Sequence, residues 1–313
     1  MRALVTGGSG YLGTLIMQAL AARPDLDEIV DVDLRPPREG LPRVRFVARS
    51  VTEDLSDLLE GVDLALHLAW VLDPLHDAVR QRAVCIGGTE RFLQACAAAR
   101  VPQVFFMSSV SAYGANPAHT APVDESEPLK ERWHFQYSAE KREAEGLVAR
   151  FAAERPGTLV QVARPCTVGG PNVSNFIFRS LDRPLTLRPA GRDPAVQMVH
   201  EDDLAAAVAA IVASRAPGAF NVAADGLPTL GECHRRLGVT ALPVPMPLLR
   251  ALMGLAWRRG WRRLAEAPPE FLHFLAWPCL VSNRRLKQEV GFRFAHDALG
   301  TLEAYRAARR ARA

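Results

Sequence analysis

Three glycines near the start of the chain constrain its fold more than any other feature. Gly7, Gly10 and Gly13 stand between Ala3–Thr6, which is typical of a β-strand, and Leu12–Ala22, which has a helical pattern. At this spacing the first glycine permits a tight turn, the second lets the backbone approach a pyrophosphate, and the third lets the helix pack on the sheet. The N-terminus of such a helix binds phosphates through free N–H groups. The sequence therefore predicts a dinucleotide site.

An acidic residue at the end of the second predicted strand supports this prediction. Asp33 lies 20 residues after Gly13, as expected for a carboxylate that accepts hydrogen bonds from an adenosine ribose. Such a carboxylate would repel a 2′-phosphate, which favours NAD over NADP. Arg35 and Arg38 leave NADP open, because a nearby arginine accommodates that phosphate. Asp31, on the same face of the strand, is a second candidate.

Strand and helix patterns alternate through the first half of the chain. This alternation predicts an α/β fold, a Rossmann-type doubly wound parallel sheet with helices on both faces. The predicted strands are Ala3–Thr6, Glu28–Asp33, Val44–Val47, Leu64–Ala69, Val104–Ser108 and Leu159–Ala163. The predicted helices are Leu12–Ala22, Leu55–Glu60, Val79–Ala99, Tyr137–Ala153 and His200–Ala213.

The rhythm changes after Pro165, where loops and prolines interrupt the pattern. We expect a dinucleotide-binding Rossmann domain over residues 1–170, to which about 195–225 returns through a short strand, Phe220–Ala223. A smaller, mostly C-terminal substrate-binding domain is expected from residues 171–194 and 226–313.

Composition narrows the class of protein. The formal charge of +4 is mildly basic and is not by itself a nucleic-acid signature. No run of 18 apolar residues exists, so we expect no membrane span, and the sequence begins with a strand rather than a secretory leader. The five cysteines form no CxxC pair, which favours a reducing, cytoplasmic location. We expect no metal, because the histidines show no ligand spacing, including His119, His134, His234, His273 and His296.

A tyrosine and a lysine mark the expected reactive centre. Tyr137 and Lys141 are four residues apart in a helical segment and therefore share a face. A phenol has a pKa near 10, and a neighbouring ammonium lowers it. Lysine is rare in this chain, since only Lys130 and Lys287 accompany Lys141. We predict that this pair does chemistry.

A serine completes the predicted centre. Ser109 follows the apolar strand Val104–Ser108, and such strand ends are where parallel sheets place ligands. We expect Ser109 to donate a hydrogen bond to a reacting carbonyl, with Ser108 and Ser111 in supporting positions.

These motifs together resemble the extended short-chain dehydrogenase/reductases, the NAD-dependent epimerase/dehydratase group. The matching stretches occur in the family's order over about residues 1–225: Val5–Gly13, His67–Ala69, Ser108–Gly114, Tyr137–Lys141, Arg164–Pro165, His200–Leu204 and Phe220–Val222.

The resemblance implies roles for individual residues. Tyr137 would act as general acid/base, Ser109 would bind the same substrate oxygen, and Lys141 would bind the nicotinamide ribose while hydride moves between the nicotinamide and a substrate carbon. Arg49–Ser50 replaces the family's Gly-Asp, so adenine contact would pass to the Ser50 side chain and the Val51 backbone. The expected cofactor contacts are Gly7, Gly10, Tyr11, Leu12, Gly13, Asp33, Arg35, Ser50, Val51, Leu68, Ala69, Lys141 and Pro165.

Three departures from the family's pattern bear on the reaction. Cys85 stands where the family has asparagine, which suggests an altered proton relay or helix bend. Val110–Ser111 replaces the acidic pair of the dehydratases and argues against dehydration. Val196 replaces an arginine that grips a diphosphate in nucleotide-sugar enzymes, although Arg188 or Arg192 could substitute.

Three functions follow from these observations. The first is an oxidoreductase that interconverts hydroxyl and ketone on a small, steroid-like or flavonoid-like molecule. The second is a nucleotide-sugar epimerase, and the third is a non-catalytic NAD(P)-binding regulator, against which the complete Ser-Tyr-Lys set speaks. The resemblance also implies a homodimer that forms through the helices 79–99 and 137–153. The basic segment 248–264, with Trp257 and Trp261, is predicted to be a domain helix whose tryptophans enter the core, rather than a membrane-surface helix or a diphosphate site.

Overall fold

The computed structural model describes residues 1–119, 121–130, 135–262 and 264–312, so His134 and Arg263 lie outside the described residues. The strands are β1 Arg2–Thr6, β2 Glu28–Asp33, β3 Val44–Ala48, β4 Leu64–His67, β5 Gln103–Met107, β6 Leu159–Pro165, β7 Thr167–Gly169, β8 Leu185–Pro189, β9 Met198–His200, β10 Gly218–Val222 and β11 Thr240–Val244. The helices are α1 Tyr11–Ala21, α2 Ala78–Arg82, α3 Gly88–Ala98, α4 Gln136–Glu154, α5 Phe176–Leu181, α6 Glu201–Ser214, α7 Leu230–Leu237, α8 Met246–Arg258, α9 Leu272–Ala276, α10 Arg284–Glu289 and α11 Ala298–Arg312.

Seven strands form one parallel sheet in the order β10-β6-β5-β4-β1-β2-β3. The central strands are apolar runs without alternation, as expected where both faces of a parallel sheet are covered; every residue of β5 is buried. The strand order reverses between β1 and β4, which is the point at which such sheets bind ligands. The predicted Rossmann-type sheet is therefore confirmed.

Helices cover both faces of the sheet. On one face α1 and α6 contribute Ile16, Leu20 and Ile211 to a core with the inward side chains of the strands. On the other face α3 and α4 contribute Phe92 and Val148 to a second core. No helix in the described part of the chain is long and apolar enough to cross a membrane.

The chain after β6 builds smaller units beside the sheet. The predicted strand Phe220–Ala223 rejoins the sheet as β10, which is paired with β6 and ends one residue earlier, at Val222. Two further parallel pairs, β7 with β9 and β8 with β11, lie outside it. A separate core of residues from α5, α7 and α11 includes Phe178, Cys233, Leu302 and Tyr305. The sequence did not predict β8 and β11, because both are half exposed and rich in proline.

Two predicted helices differ in the structure. The segment predicted as Val79–Ala99 is interrupted by a π-helical turn, Ala83–Gly87, which agrees with the bend suggested by Cys85. The Thr89 hydroxyl donates to the Cys85 carbonyl at 2.6 Å within this turn. The segment predicted as Leu55–Glu60 forms only a 3-10 turn, Ser56–Leu58, because the chain turns away at Gly61 with a φ of +68°.

Candidate active site

The turn between β1 and α1 fits a dinucleotide. Gly7 has a φ of +76°, and a Cβ there would lie 2.6 Å from the Ala69 backbone. A Cβ at Gly13 would lie 2.1 Å from the Gly7 carbonyl oxygen, so the helix packs directly on the turn. Gly10 is the N-cap residue of α1, and no side chain forms a capping hydrogen bond there. The first turn of the helix contains no acidic residue. The first N–H groups of α1 are thus available to a diphosphate.

The two candidate aspartates have different surroundings. Asp33 ends β2 and lines the cavity above the glycine turn. Asp31 is fully buried and accepts a hydrogen bond from the Ser9 hydroxyl at 2.5 Å, so it supports the turn between β1 and α1. Burial raises the pKa of Asp31. Arg35 and Arg38 are exposed and do not line the cavity.

A single cavity of about 1380 Å³ joins the glycine turn to the predicted reactive centre. With the exception of Arg35, every residue predicted to contact the cofactor lines it: Gly7, Gly10, Tyr11, Leu12, Gly13, Asp33, Ser50, Val51, Leu68, Ala69, Lys141 and Pro165. The Tyr11 hydroxyl donates a hydrogen bond to the carboxylate of Glu201, a residue that the sequence did not single out. The Ser50 hydroxyl lies 2.8 Å from the Thr52 hydroxyl.

Ser109 and Tyr137 lie together at the carboxyl end of β5. Ser109 follows this strand, and its hydroxyl accepts a hydrogen bond from the Ser111 N–H at 3.1 Å. Tyr137 lies in the first turn of α4. Burial raises the pKa of Tyr137 to about 12, and the Ser109 hydroxyl opposes this shift. Desolvation of the phenolate is the largest effect, so this pKa is raised rather than lowered as expected from a neighbouring ammonium.

Lys141 is buried one helical turn after Tyr137. Its ammonium donates to the carbonyl of Met107, the last residue of β5, at 2.7 Å. It also lies 3.5 Å from the centroid of the Trp70 indole, a cation–π contact. Burial lowers the pKa of Lys141 to about 7. Lys141 therefore holds the strand end from which Ser109 projects.

Two buried groups next to the centre are uncharged at neutral pH. His67 bridges Thr6 and Thr89, with its ring nitrogens 2.7 and 3.1 Å from their hydroxyls, and burial lowers its pKa to about 3. Burial raises the pKa of the Cys85 thiol to about 12. Cys85 therefore supplies no thiolate, and His67 braces the end of β4 as a neutral ring.

A buried polar network supports the strand ends. The Arg164 guanidinium forms an ion pair with Glu145 at 2.6 Å and donates to the Tyr113 hydroxyl at 2.6 Å. Ser108 donates to the same Glu145, so its predicted supporting position is what the structure shows. Sequence reasoning missed Glu145, which lies four residues after Lys141 on α4 and carries no motif of its own.

Aromatic side chains surround Tyr137 at the far end of the cavity. The Trp70 and Phe135 ring centroids lie 6.4 and 6.1 Å from that of Tyr137. Phe271 and Phe274 pack on Phe135 at 5.7 and 5.8 Å. The sequence could not reveal this aromatic wall, because its members come from segments far apart in the chain.

Val196 lines the cavity, as does Arg188. Arg192 is exposed, and its guanidinium stacks on the Trp277 ring at 3.8 Å. Among the residues that the structure describes, no group of three or more histidine, cysteine or acidic side chains has a metal-binding arrangement.

The chain resembles several known proteins in sequence, including one from Mycobacterium tuberculosis and one from Stigmatella aurantiaca. An uncharacterized protein of Mycobacterium tuberculosis is 25% identical over 299 residues, which cover 92% of this chain and 79% of that protein. The 4-hydroxy-2-methyl-3-oxo-4-farnesyl-3,4-dihydroquinoline-1-oxide ketoreductase of Stigmatella aurantiaca is 33% identical over 196 residues, which cover 60% of this chain and 56% of that protein.

A solved structure and a family model agree with the fold. The UDP-glucuronic acid 4-epimerase of Bacillus cereus, in complex with NAD, superposes with a TM-score of 0.76 over 99% of both chains at 18% identity, a likeness of fold. The model of the NAD dependent epimerase/dehydratase family matches residues 3–223, from β1 through β10. The chain therefore belongs to the NAD-dependent epimerase/dehydratase family.

Proposed function

We propose that this enzyme interconverts a hydroxyl and a ketone on an apolar small molecule, with Ser109, Tyr137 and Lys141 as its catalytic centre. The observation that carries the proposal is the placement of Ser109 and Tyr137 at the end of β5, in a cavity continuous with the glycine turn. When bound, NAD supplies the hydride acceptor, and NADH the donor. The chain's own residues bind the substrate oxygen and manage its proton.

Tyr137 is protonated at neutral pH, because burial raises its pKa to about 12. It is therefore ready to donate its proton to a ketone oxygen as that oxygen becomes an alkoxide, and it takes the proton back in the oxidative direction. Ser109 offers a second hydroxyl to the same oxygen. Lys141 fixes the strand end through the Met107 carbonyl, and its amine lies 5.9 Å from the centroid of the Tyr137 ring.

The walls of the substrate end favour an apolar substrate. Trp70, Phe135, Phe271 and Phe274 form an aromatic wall beside Tyr137, against which a ring system or a prenyl chain packs well. The Stigmatella relative is named a ketoreductase of a farnesylated quinoline, which is a ketone of this kind. An apolar alcohol or ketone is thus the substrate class that we propose.

Substitution of the tyrosine tests the proposal. Tyr137→Phe should lower kcat by about 10²–10⁴, the usual contribution of a general acid, while NAD affinity changes little. A panel of polycyclic and prenylated ketones, followed by NADH absorbance, provides the assay. Tyr305→Phe, which removes a hydroxyl bound to Asp182 where neither residue lines the cavity, is the matched control. Unchanged turnover in Tyr137→Phe would rule out the proposed role.

We further propose that the predicted cofactor contacts bind NAD, with Asp33 at the adenosine ribose. Arg35 is the least supported of them because it lies in solvent, outside the cavity. Calorimetry with NAD, NADH, NADP and NADPH tests the preference. Tighter binding of NADPH would mean that Arg35 or Arg38 outweighs Asp33.

A nucleotide-sugar epimerase is the second candidate, and two arginines favour it. Arg188 lines the cavity near Val196, and Arg192 lies on Trp277 close by, so both are candidates to hold a diphosphate. Mass spectrometry of the purified protein separates the two functions. Tightly retained NAD supports the epimerase, because its cycle never releases cofactor, and exchangeable NAD supports the dehydrogenase/reductase.

We also propose how the chain divides into domains, how it assembles and where it is located. We propose a Rossmann domain of residues 1–170 with about 195–225, and a substrate-binding domain of 171–194 and 226–313, a division supported by the separate core around Phe178 and Tyr305. We propose a homodimer through the outer faces of α2, α3 and α4. A cytoplasmic location is supported by the cysteines, all of which are free.

A further inference from the structure

The segment that begins with α8 exposes apolar side chains to solvent. We name residues 246–262 and 264 the rim segment. Its most exposed apolar side chains are Leu248, Leu252, Leu255, Trp261 and Leu264, of which Trp261 is 49% and Leu264 is 69% exposed. The prediction that both tryptophans enter the core is therefore wrong for Trp261. Exposed apolar groups clustered in one segment indicate a binding surface.

The helix in this segment has two apolar stripes. Leu249 and Ala256 are buried and attach α8 to the rest of the molecule. Leu248, Leu252 and Leu255 follow at spacings of four and three residues, so they form a second stripe on one face of the helix. The side chains of this second stripe are exposed rather than buried in the core.

The exposed stripe continues into the active-site cavity. Leu252, Leu255, Trp261 and Leu264 are exposed and also line the cavity that contains Tyr137. A residue that is both exposed and part of the cavity wall lies at its mouth. The rim segment therefore forms an apolar mouth.

Basic side chains accompany these apolar ones. Arg258, Arg259 and Arg262 are exposed, and no described carboxylate forms an ion pair with them. Arg250 lies 3.6 Å from Glu270. The rim segment thus combines exposed leucine and tryptophan with three arginines with which no described carboxylate pairs.

We propose that the rim segment docks on a bilayer surface that carries anionic headgroups. Leucine and tryptophan insert at the boundary of headgroups and acyl chains, while the arginines bind phosphates; this is the composition of interfacial helices. Such docking opens the mouth toward the bilayer. If the proposed apolar substrate is correct, it enters the cavity without crossing water, but the docking itself does not depend on that substrate.

Sedimentation with vesicles tests the docking without any assay of activity. The full chain should pellet with vesicles of phosphatidylcholine and phosphatidylglycerol, and far less with phosphatidylcholine alone. The variant Leu248→Asp/Arg259→Glu should lose more than about tenfold in partitioning, because it removes an apolar anchor and replaces a basic residue near an anionic surface by an acidic one. Neither residue lines the cavity.

The control variant carries the same two types of substitution outside the rim segment. Leu227→Asp/Arg155→Glu alters two exposed residues outside the rim segment and should pellet like the wild type. Retained NAD binding shows that each variant is folded. A wild-type protein that stays in the supernatant with anionic vesicles, or a rim variant that still pellets, overturns the proposal. A rim variant that instead converts a dimer to a monomer assigns this surface to a second copy of the chain and also overturns it.

Discussion

Lys141 is the residue in which structure and chemistry are most closely linked. Its ammonium is buried between a strand carbonyl and the Trp70 indole, with Glu145 one turn further along the helix. One carbonyl and one aromatic face stabilise the ammonium less than water does. The pKa of Lys141 therefore falls to about 7. The fold therefore tolerates a charge that weakens it, as active sites often do.

The unfavourable burial of the Lys141 ammonium predicts that the free energy of unfolding depends on pH. The folded state releases the Lys141 proton near pH 7, and the unfolded state near pH 10.5, so between these values the unfolded chain binds more protons. The wild type should therefore gain stability relative to Lys141→Met as pH rises from 7 to 10, by up to about 1.4 kcal/mol per pH unit. Urea unfolding at several pH values, without NAD, measures the difference.

The matched control is Lys287→Met, which removes an exposed lysine paired with Asp225. Its difference from the wild type should stay nearly constant over the same range. A constant difference for Lys141→Met as well would mean that the ammonium is solvated in solution.

Among the secondary-structure elements, the strands of the sheet were the most predictable. β1, β2, β4, β5 and β6 are buried on both faces and appear in the sequence as short apolar runs. β8 and β11 carry no such run, since each is half exposed. The Ser109, Tyr137 and Lys141 set was predictable because each residue belongs to a local motif. The aromatic wall was not, because it exists only after distant segments pack together.

The turn between β1 and α1 makes the sharpest prediction for an element. Gly13→Ala places a Cβ 2.1 Å from the Gly7 carbonyl, and relief requires α1 to move away from the turn. Overpacking of this kind costs about 1–3 kcal/mol, so NAD affinity should fall by roughly ten- to a hundredfold. Calorimetry measures the affinity, and thermal unfolding measures the stability.

Gly146→Ala is the same chemical change on α4, where the nearest atom to the new Cβ is 3.9 Å away. It should leave NAD affinity unchanged and stabilise the fold by up to about 1 kcal/mol, because alanine forms helix better than glycine. Wild-type affinity in Gly13→Ala would show that the helix need not pack on the turn.

Over the whole molecule, the cavity connects parts that the chain builds separately. The sheet and α4 supply the glycine turn and the predicted Ser109, Tyr137 and Lys141 set, whereas the chain after β7 supplies much of the apolar wall and the mouth. This division explains why the first two thirds carry the family's motifs. The family model ends at residue 223, so the last third lies outside the part of the chain that carries those motifs.

Assembly gives the last prediction. Val79 on α2 is 81% exposed beside the Arg82–Glu143 ion pair, which links this segment to α4. In a two-fold dimer through these helices the same face meets its own copy, so Val79→Glu places like charges near the axis. We expect the dimer dissociation constant to rise by more than about tenfold, as measured by light scattering over a dilution series. Leu227→Glu, an equally apolar exposed position elsewhere, should leave it unchanged. A dimer that persists in Val79→Glu would place the interface on another face.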